Sequence, residues 1–285
     1  MAGPLALDRM LISVSGPDAR SFLQEVLSQD LNRLADEPAL YAALLSPQGK
    51  VIADMMLWPE AVGCVLIEAD PAPGASLTRR LSMYKLRAQV SLADVSDRFG
   101  VIVSEAPFAG AVADPRFPDG ALGWRKIAPK AEGYGLADGV AVLNRQRLAL
   151  GVPDLARDAA PEEVFALEAL LEELHGVDFK KGCFVGQENV SRMKRRATTR
   201  KKFCPVAFDG PAPAPGTPIR AGESELGTVR TGMPGRALAL LRLDRALAAI
   251  KLGRRLLAND REIRLDPPSW LILPQREDDD SGEPD

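Results

Sequence analysis

Lys180-Lys181-Gly182-Cys183-Phe184-Val185-Gly186-Gln187-Glu188 is the segment on which the rest of the reading depends. Its two glycines permit backbone angles closed to other residues and let a ligand approach the chain closely. Lys180 and Lys181 flank the Cys183 thiol, and neighbouring positive charge favours a reactive thiolate. Gln187 and Glu188 add directed acceptors and a donor. In physical terms this is a loop that presents Cys183 for reversible covalent or redox chemistry. A lone cysteine is also commonly a small buried apolar side chain. Cys64, within Gly63-Cys64-Val65-Leu66-Ile67, and Cys204, between Phe203 and Pro205, read that way.

Upstream of the loop, helical periodicity covers Glu162 to Leu174 and, before it, Gly139 to Leu150. Nearer the N-terminus, Phe22, Leu23, Val26, Leu27, Leu31 and Leu34 fall on one face of a helix expected over Pro17 to Leu34. Ser15 and Asp18 are its capping residues and Pro17 sits in its first turn. Two strand-like runs, Ala39 to Leu45 and Lys50 to Trp58, are separated by Ser46-Pro47-Gln48-Gly49 and so form a hairpin. Next come a strand from Gly63 to Ile67, a helix from Ala75 to Arg87, and strands at Val90 to Ala93 and Phe99 to Val103. Residues 105–123 make an irregular connection. This alternation predicts an α+β fold.

Downstream of Lys202 the pattern shifts to short apolar runs punctuated by Gly and Pro: Phe203 to Phe208, Pro218 to Ile219, Gly227 to Thr231, Ala237 to Leu243 and Glu262 to Leu265. Such spacing predicts a small β-barrel or sandwich. The expected division is 1–198, a barrel over 199–275, and a disordered acidic tail over 276–285.

Bulk composition narrows the function classes. Of 285 residues, 46% are hydrophobic and 26% charged, as in globular proteins. The apolar runs are far too short to span a bilayer. Met1-Ala2-Gly3-Pro4 opens no signal peptide, and Asp8 precedes the first Arg9. The expectation is therefore a cytoplasmic protein without a membrane partner. A net charge of −3 argues against wholesale nucleic-acid binding. Three scattered cysteines and a single histidine, His175, provide no disulfide framework and no ligand set for a resident metal.

Lys181-Gly182-Cys183-Phe184-Val185-Gly186-Gln187-Glu188 resembles the K-G-C-[FY]-x-G-Q-E signature of the YgfZ family. That family includes mitochondrial iron–sulfur assembly homologues and is related to the T-protein of the glycine cleavage system. The resemblance extends to Val177-Asp178-Phe179-Lys180, to Phe22-Leu23-Gln24, and to the Pro47-Gln48-Gly49 turn with Asp54 beyond it. It runs from about residue 10 to the end of the barrel, weakly after residue 200. The resemblance implies two ferredoxin-like lobes followed by a C-terminal β-barrel, with a central cavity that binds tetrahydrofolate. It further implies a role in assembly or repair of iron–sulfur clusters, including those of radical enzymes that modify tRNA.

Specific residues follow from the resemblance. Asp54 matches a T-protein carboxylate that contacts the pterin, whose edge presents adjacent N–H donors suited to two carboxylate oxygens. A second T-protein carboxylate belongs to an Arg-x-Glu-x-Gly segment, matched here by Arg147-Leu148-Ala149-Leu150-Gly151. Ala149 replaces the acid, which removes an expected contact and weighs against authentic aminomethyl transfer. Arg147 is either a pocket residue or a solvated helix arginine, and Trp124 is a candidate for stacking on the pterin. The basic strip Arg192, Lys194, Arg195 and Arg196, continued by Arg200, Lys201 and Lys202, has three open readings. It attracts a polyglutamyl folate tail, docks a partner, or solubilises the surface. His175 precedes Gly176 at an expected helix end.

Three functions compete. The first is a tetrahydrofolate-binding accessory protein in iron–sulfur assembly, with Cys183 performing a covalent or redox step on client or assembly partners. The second is a folate-dependent one-carbon transferase or demethylase. The third is a client-docking scaffold without ligand chemistry.

Overall fold

The computed structural model describes residues 3–60, 64–197 and 199–274. In chain order, β1 (Leu5–Leu7) and β2 (Met10–Ser15) precede α1 (Ala19–Val26), β3 (Leu40–Leu45), β4 (Val51–Pro59) and β5 (Val65–Ala69). Then come α2 (Pro71–Tyr84), β6 (Ser91–Asp94), β7 (Phe99–Ser104), β8 (Val112–Ala113), β9 (Trp124–Pro129), α3 (Val140–Leu150), α4 (Leu155–Asp158) and α5 (Gln187–Arg195). The last part holds β10 (Lys201–Ala207), β11 (Pro218–Ala221), β12 (Ser224–Met233), β13 (Arg236–Arg242), α6 (Leu243–Lys251), β14 (Leu256–Ala258) and β15 (Arg261–Leu265).

Three β layers organise these elements. A five-stranded sheet has the order β3-β4-β5-β2-β6, a four-stranded sheet the order β1-β7-β9-β8, and β10-β13-β12-β11-β14-β15 close into a barrel. The first sheet is covered on both faces, which is why every residue of β3 is buried. Side chains alternate across a strand. Leu40, Ala42 and Leu44 join Phe22, Leu23 and Val26 of α1 in one core. Tyr41, Ala43 and Leu45 enter a second core with Met56 and Trp58. That second core runs on through Val101, Leu148 and Leu171 to Phe203, Val229 and Leu240 of the barrel. Asp54 lies opposite Ala43 in the hairpin register, two residues before Met56, so the alternation aims it at the space between the layers. The α+β architecture, with a closed C-terminal barrel, agrees with expectation.

Several element predictions are corrected. Glu162 to Leu174 forms successive turns instead of a helix, with Glu162 and Leu170 at φ 62°. The apolar spacing there arises because Leu167, Leu170, Leu171 and Leu174 are enclosed from several directions. His175 therefore ends no helix; it is an exposed turn residue at φ 57°. The helix expected over Pro17 to Leu34 breaks after α1 and resumes as a 3-10 turn at Leu31–Ala35. Gln187 and Glu188 open α5, so the motif ends in a helix. Helix α6 and strand β14 carried no separate signal. Gly63, which began an expected strand, and the tail 276–285 lie outside the described residues.

Candidate functional site

Asp54 sits where two cavities meet. Its Oδ2 accepts a hydrogen bond of 2.9 Å from the Tyr41 hydroxyl, and the Arg116 guanidinium lies over the Tyr41 ring at 5.3 Å. Arg116 forks onto Asp114 with bonds of 2.9 and 2.8 Å. Arg125 of β9 bridges Asp114 and Glu68, at 2.6 Å to each. Glu68 also accepts from Trp58 Nε1 at 3.1 Å and faces Arg9 Nε at 3.3 Å. The network thus ties both sheets together through buried charges that are paired, as burial requires.

The electrostatics separate the acids by role. Burial pushes the Asp54 carboxyl above its ordinary pKa, and the charge of Asp154 pushes the same way against the Tyr41 hydrogen bond. The Tyr41 hydroxyl is raised well above its ordinary value by burial and then by Asp54. Burial would also raise Asp114, but Arg116 and Arg125 overcome it and hold the carboxyl well below the usual range. Asp114 is therefore a fixed anion of the scaffold, whereas Asp54 has the Tyr41 hydroxyl as its side-chain partner among the described residues.

The charged cavity, about 40 Å³, is lined by Arg9, Tyr41, Asp54, Asp70, Arg116, Arg125, Arg147 and Asp154 together with Leu7, Met55, Met56 and Leu143. An apolar cleft of about 210 Å³ adjoins it at Asp54, walled by Ile52, Ala53, Ala72, Pro73, Leu155, Ala156 and Pro161 among others. A compact polar end joined to an apolar chamber is the usual make-up of a small-molecule site.

Of the residues expected to serve the site, Asp54 and Arg147 are brought together. Arg147 is buried, so it is not a solvated helix arginine. It binds Asp158 at 2.7 Å, the Val152 carbonyl at 3.2 Å and Asn144 at 2.7 Å. Its Nη2 is buried without a partner among the described residues. Trp124 lines a neighbouring small pocket with Leu122, Val142 and Gln146, which shares Arg125 and Leu143 with the charged cavity, and it is not among the residues lining that cavity. Ala149 is exposed on α3 and lines neither cavity at Asp54. Tyr41, Glu68, Asp114, Arg116, Arg125 and Asp154 were not foreseen as site residues.

The cysteine motif forms a second locus on the hairpin turn. Gly186 adopts φ +84°, and a Cβ there would lie 2.5 Å from the Ser46 carbonyl oxygen and 3.0 Å from Gly49 Cα. The Lys181 ammonium donates to the carbonyls of Gln24 and Leu27 at 2.6 Å and of Gln29 at 3.0 Å. It also lies 5.1 Å from the Phe184 ring centre. Burial brings the pKa of Lys181 down to about 8, with Asp30 and Asp178 acting against the shift. Lys181 thus anchors the loop to the end of α1. Gly182 and Cys183 are exposed, and Cys183 lines neither cavity at Asp54.

The basic strip is divided by its surroundings. Lys194 lies over the Phe179 ring at 4.2 Å and pairs with Glu172, and Arg192 bonds Asn189. Lys202 is buried against Glu173. Arg195 and Arg196 are exposed at the end of α5. Among the described residues no group of His, Cys, Asp and Glu is placed to hold a metal ion, and no helix is long and apolar enough to cross a membrane.

The layered α+β architecture with a closed terminal barrel defines a protein of the T-protein fold. Its architecture superimposes on the crystal structure of the glycine cleavage system aminomethyltransferase T from Bartonella henselae with a TM-score of 0.73, covering 95% of this chain and 87% of that one at 14% identity. That likeness concerns the fold. The CAF17 C-terminal beta-barrel domain family matches residues 200–272. The human mitochondrial iron–sulfur cluster assembly factor IBA57 is 31% identical, covering 82% of this chain and 75% of the human protein. The Neurospora crassa homologue is 32% identical over 72% of this chain, and the Pyricularia oryzae homologue 34% over 73%. The chain belongs to the family of IBA57 iron–sulfur cluster assembly factors. It spans little more than half the length of the two fungal relatives, 54% and 58%. The expectation of a cytoplasmic protein is overturned, because these relatives are named as mitochondrial. That expectation rested on a missing targeting pattern, and an absence carries no address.

Proposed function

We propose that this protein binds a reduced folate at Asp54 and serves the assembly or repair of iron–sulfur clusters, with Cys183 acting at the surface on a client or assembly partner. The observation that carries the folate half is Asp54 itself. It is a half-buried carboxylate held by a tyrosine hydroxyl, with no guanidinium bonded to it among the described residues, at the junction of a charged cavity and an apolar cleft. Two carboxylate oxygens suit the paired N–H donors of a pterin edge, and the cleft suits the apolar body of the cofactor. Tyr41 and Arg116 orient the acid. The family and the relatives' names support the iron–sulfur half. Radical enzymes that modify tRNA are a client class implied by the resemblance to the YgfZ family.

Anaerobic calorimetry with mono- and polyglutamyl tetrahydrofolate at two salt concentrations tests the folate half. Saturable binding weakened by Asp54→Ala is expected, with salt sensitivity of the polyglutamyl form assigning Arg195 and Arg196 to the tail. Absence of binding in either form would remove the folate reading.

The exposure of Cys183 ahead of α5 and of Arg195 and Arg196 at its far end favours one further reading, that the surface around α5 docks a client. Charge reversal at both arginines would then impair iron–sulfur enzymes in cells while leaving folate affinity intact.

A further inference from the structure

Resting on the folate reading, we propose that Asp154 is the second ligand carboxylate of the cavity and makes it selective for a reduced pterin over the fully oxidised ring. The acids around the cavity divide sharply. Glu68 and Asp114 share Arg125, and Asp158 holds Arg147. Asp70 caps α2 through the Ala72 N–H and lies 3.5 Å from Arg9. Asp54 and Asp154 line the same cavity with no buried guanidinium bonded to either among the described residues. The partner of Asp154 is Arg157 at the rim, at 3.3 Å.

A second feature points to a ligand independently. Arg147, on the same wall, carries a buried Nη2 that meets no acceptor among the described residues. An orphaned guanidinium N–H costs free energy unless something fills its valence. The cavity therefore asks for a ring with N–H donors on two different edges and a carbonyl acceptor. A reduced pterin meets that demand with its 2-amino/N3–H edge, its N8–H and its 4-oxo group. The oxidised ring keeps the first edge and the 4-oxo group, but its N8 is an acceptor whose lone pair would face a carboxylate.

Asp154 is also fixed in place. The left-handed Gly151 ends α3, and the Val152 N–H donates to the Arg147 carbonyl at 2.7 Å. The Asp154 N–H then donates to Asp158 Oδ2 at 2.8 Å, the oxygen that also receives Arg147. Its charge reaches Asp54, whose affinity for a proton it raises. Loss of an acid at Ala149 leaves this site complete, since Ala149 is exposed while Asp154 supplies the acid facing Asp54.

The test is anaerobic calorimetry of wild type, Asp154→Asn and Asp154→Ala with tetrahydrofolate and with folic acid. Wild type is expected to favour tetrahydrofolate by at least about tenfold, the worth of one charge-assisted hydrogen bond. Asp154→Asn is expected to lose about tenfold for tetrahydrofolate and to hold or gain affinity for folic acid, because a carboxamide N–H can donate to N8. Asp154→Ala should weaken tetrahydrofolate alone, which keeps the test intact if either variant folds poorly. Equal loss for both ligands, or no loss for either, would overturn the role of Asp154 and leave the folate reading standing. Wild type that binds neither ligand would remove both.

Discussion

The half-buried Asp54 and the buried Asp114 have opposite effects on stability. The folded state binds the Asp54 proton more tightly than the unfolded chain does, because its pKa is raised from 3.8. Stability therefore falls as pH rises from there through the folded value, and the penalty persists at neutral pH. Asp54→Asn keeps an acceptor for Tyr41 and removes that penalty. It is expected to be more stable than wild type at pH 7 in urea titration, with the gain vanishing below pH 4, while folate binding is lost. Asp114 is depressed instead, so its contribution is present above the ordinary carboxylate range and disappears as pH falls through the folded value. Arg125→Met leaves Glu68 and Asp114 without their shared partner and should cost roughly 3–5 kcal/mol at pH 7 in the same titration. At this scale Asp54 was named through the resemblance to the T-protein, and the hairpin register sets it at the cavity. Asp114 and Arg116 were not, since residues 105–123 have no periodicity and nothing in them announces a partner. Arg125 and Glu68 are 57 positions apart, a separation that local pattern does not bridge.

The cysteine loop is held as an element, not by its thiol. Lys181 grips the end of α1, and Gly186 lies against the Ser46–Gly49 turn. Gly186→Ala places a methyl group against backbone in a left-handed conformation, and a loss above about 2 kcal/mol is expected. Gly182→Ala, which meets nothing within 4 Å, should stay within about 0.5 kcal/mol. Denaturant titration checks both, and the alkylation rate of Cys183 should rise only in Gly186→Ala as the loop detaches. Equal stability of the two variants would mean that the contact with the turn does not hold the loop. The hairpin under this loop was readable because Pro and Gly bound two apolar runs. Glu162 to Leu174 was misread for a related reason: helical spacing reports which residues are apolar, not how many sides enclose them. Here β4 supplies the hydrogen bonds that interrupt a helix, with the Val51 N–H donating to the Val164 carbonyl and the Glu162 N–H to that of Val51.

Across the whole molecule, the barrel is joined to the cavity wall through Asp158. Its carboxylate accepts from Arg147 and from the backbone N–H of Asp154 on the cavity side. It accepts from the Thr231 backbone N–H at 3.0 Å and from the Thr231 hydroxyl on β12 of the barrel. Arg230 adds an ion pair with Glu163, and Trp270 packs edge-on against Phe117 at 5.7 Å, so the chain beyond the barrel returns to the second sheet. One apolar core passes through both regions, which favours a single cooperative transition. Fluorescence from Trp58, Trp124 and Trp270 and far-ultraviolet circular dichroism should therefore change together in urea. Asp158→Ala strands the buried Arg147 charge and frees the Thr231 N–H, so a loss of roughly 3–5 kcal/mol is expected. The same change releases the backbone that fixes Asp154, so tetrahydrofolate affinity should fall although residue 158 lines neither cavity at Asp54. Asp158→Asn keeps the shape and acceptor oxygen and should fall between the two in both measurements. Were Asp158→Ala to lower stability while leaving folate affinity unchanged, the barrel would be a structural neighbour of the cavity with no hold on its geometry.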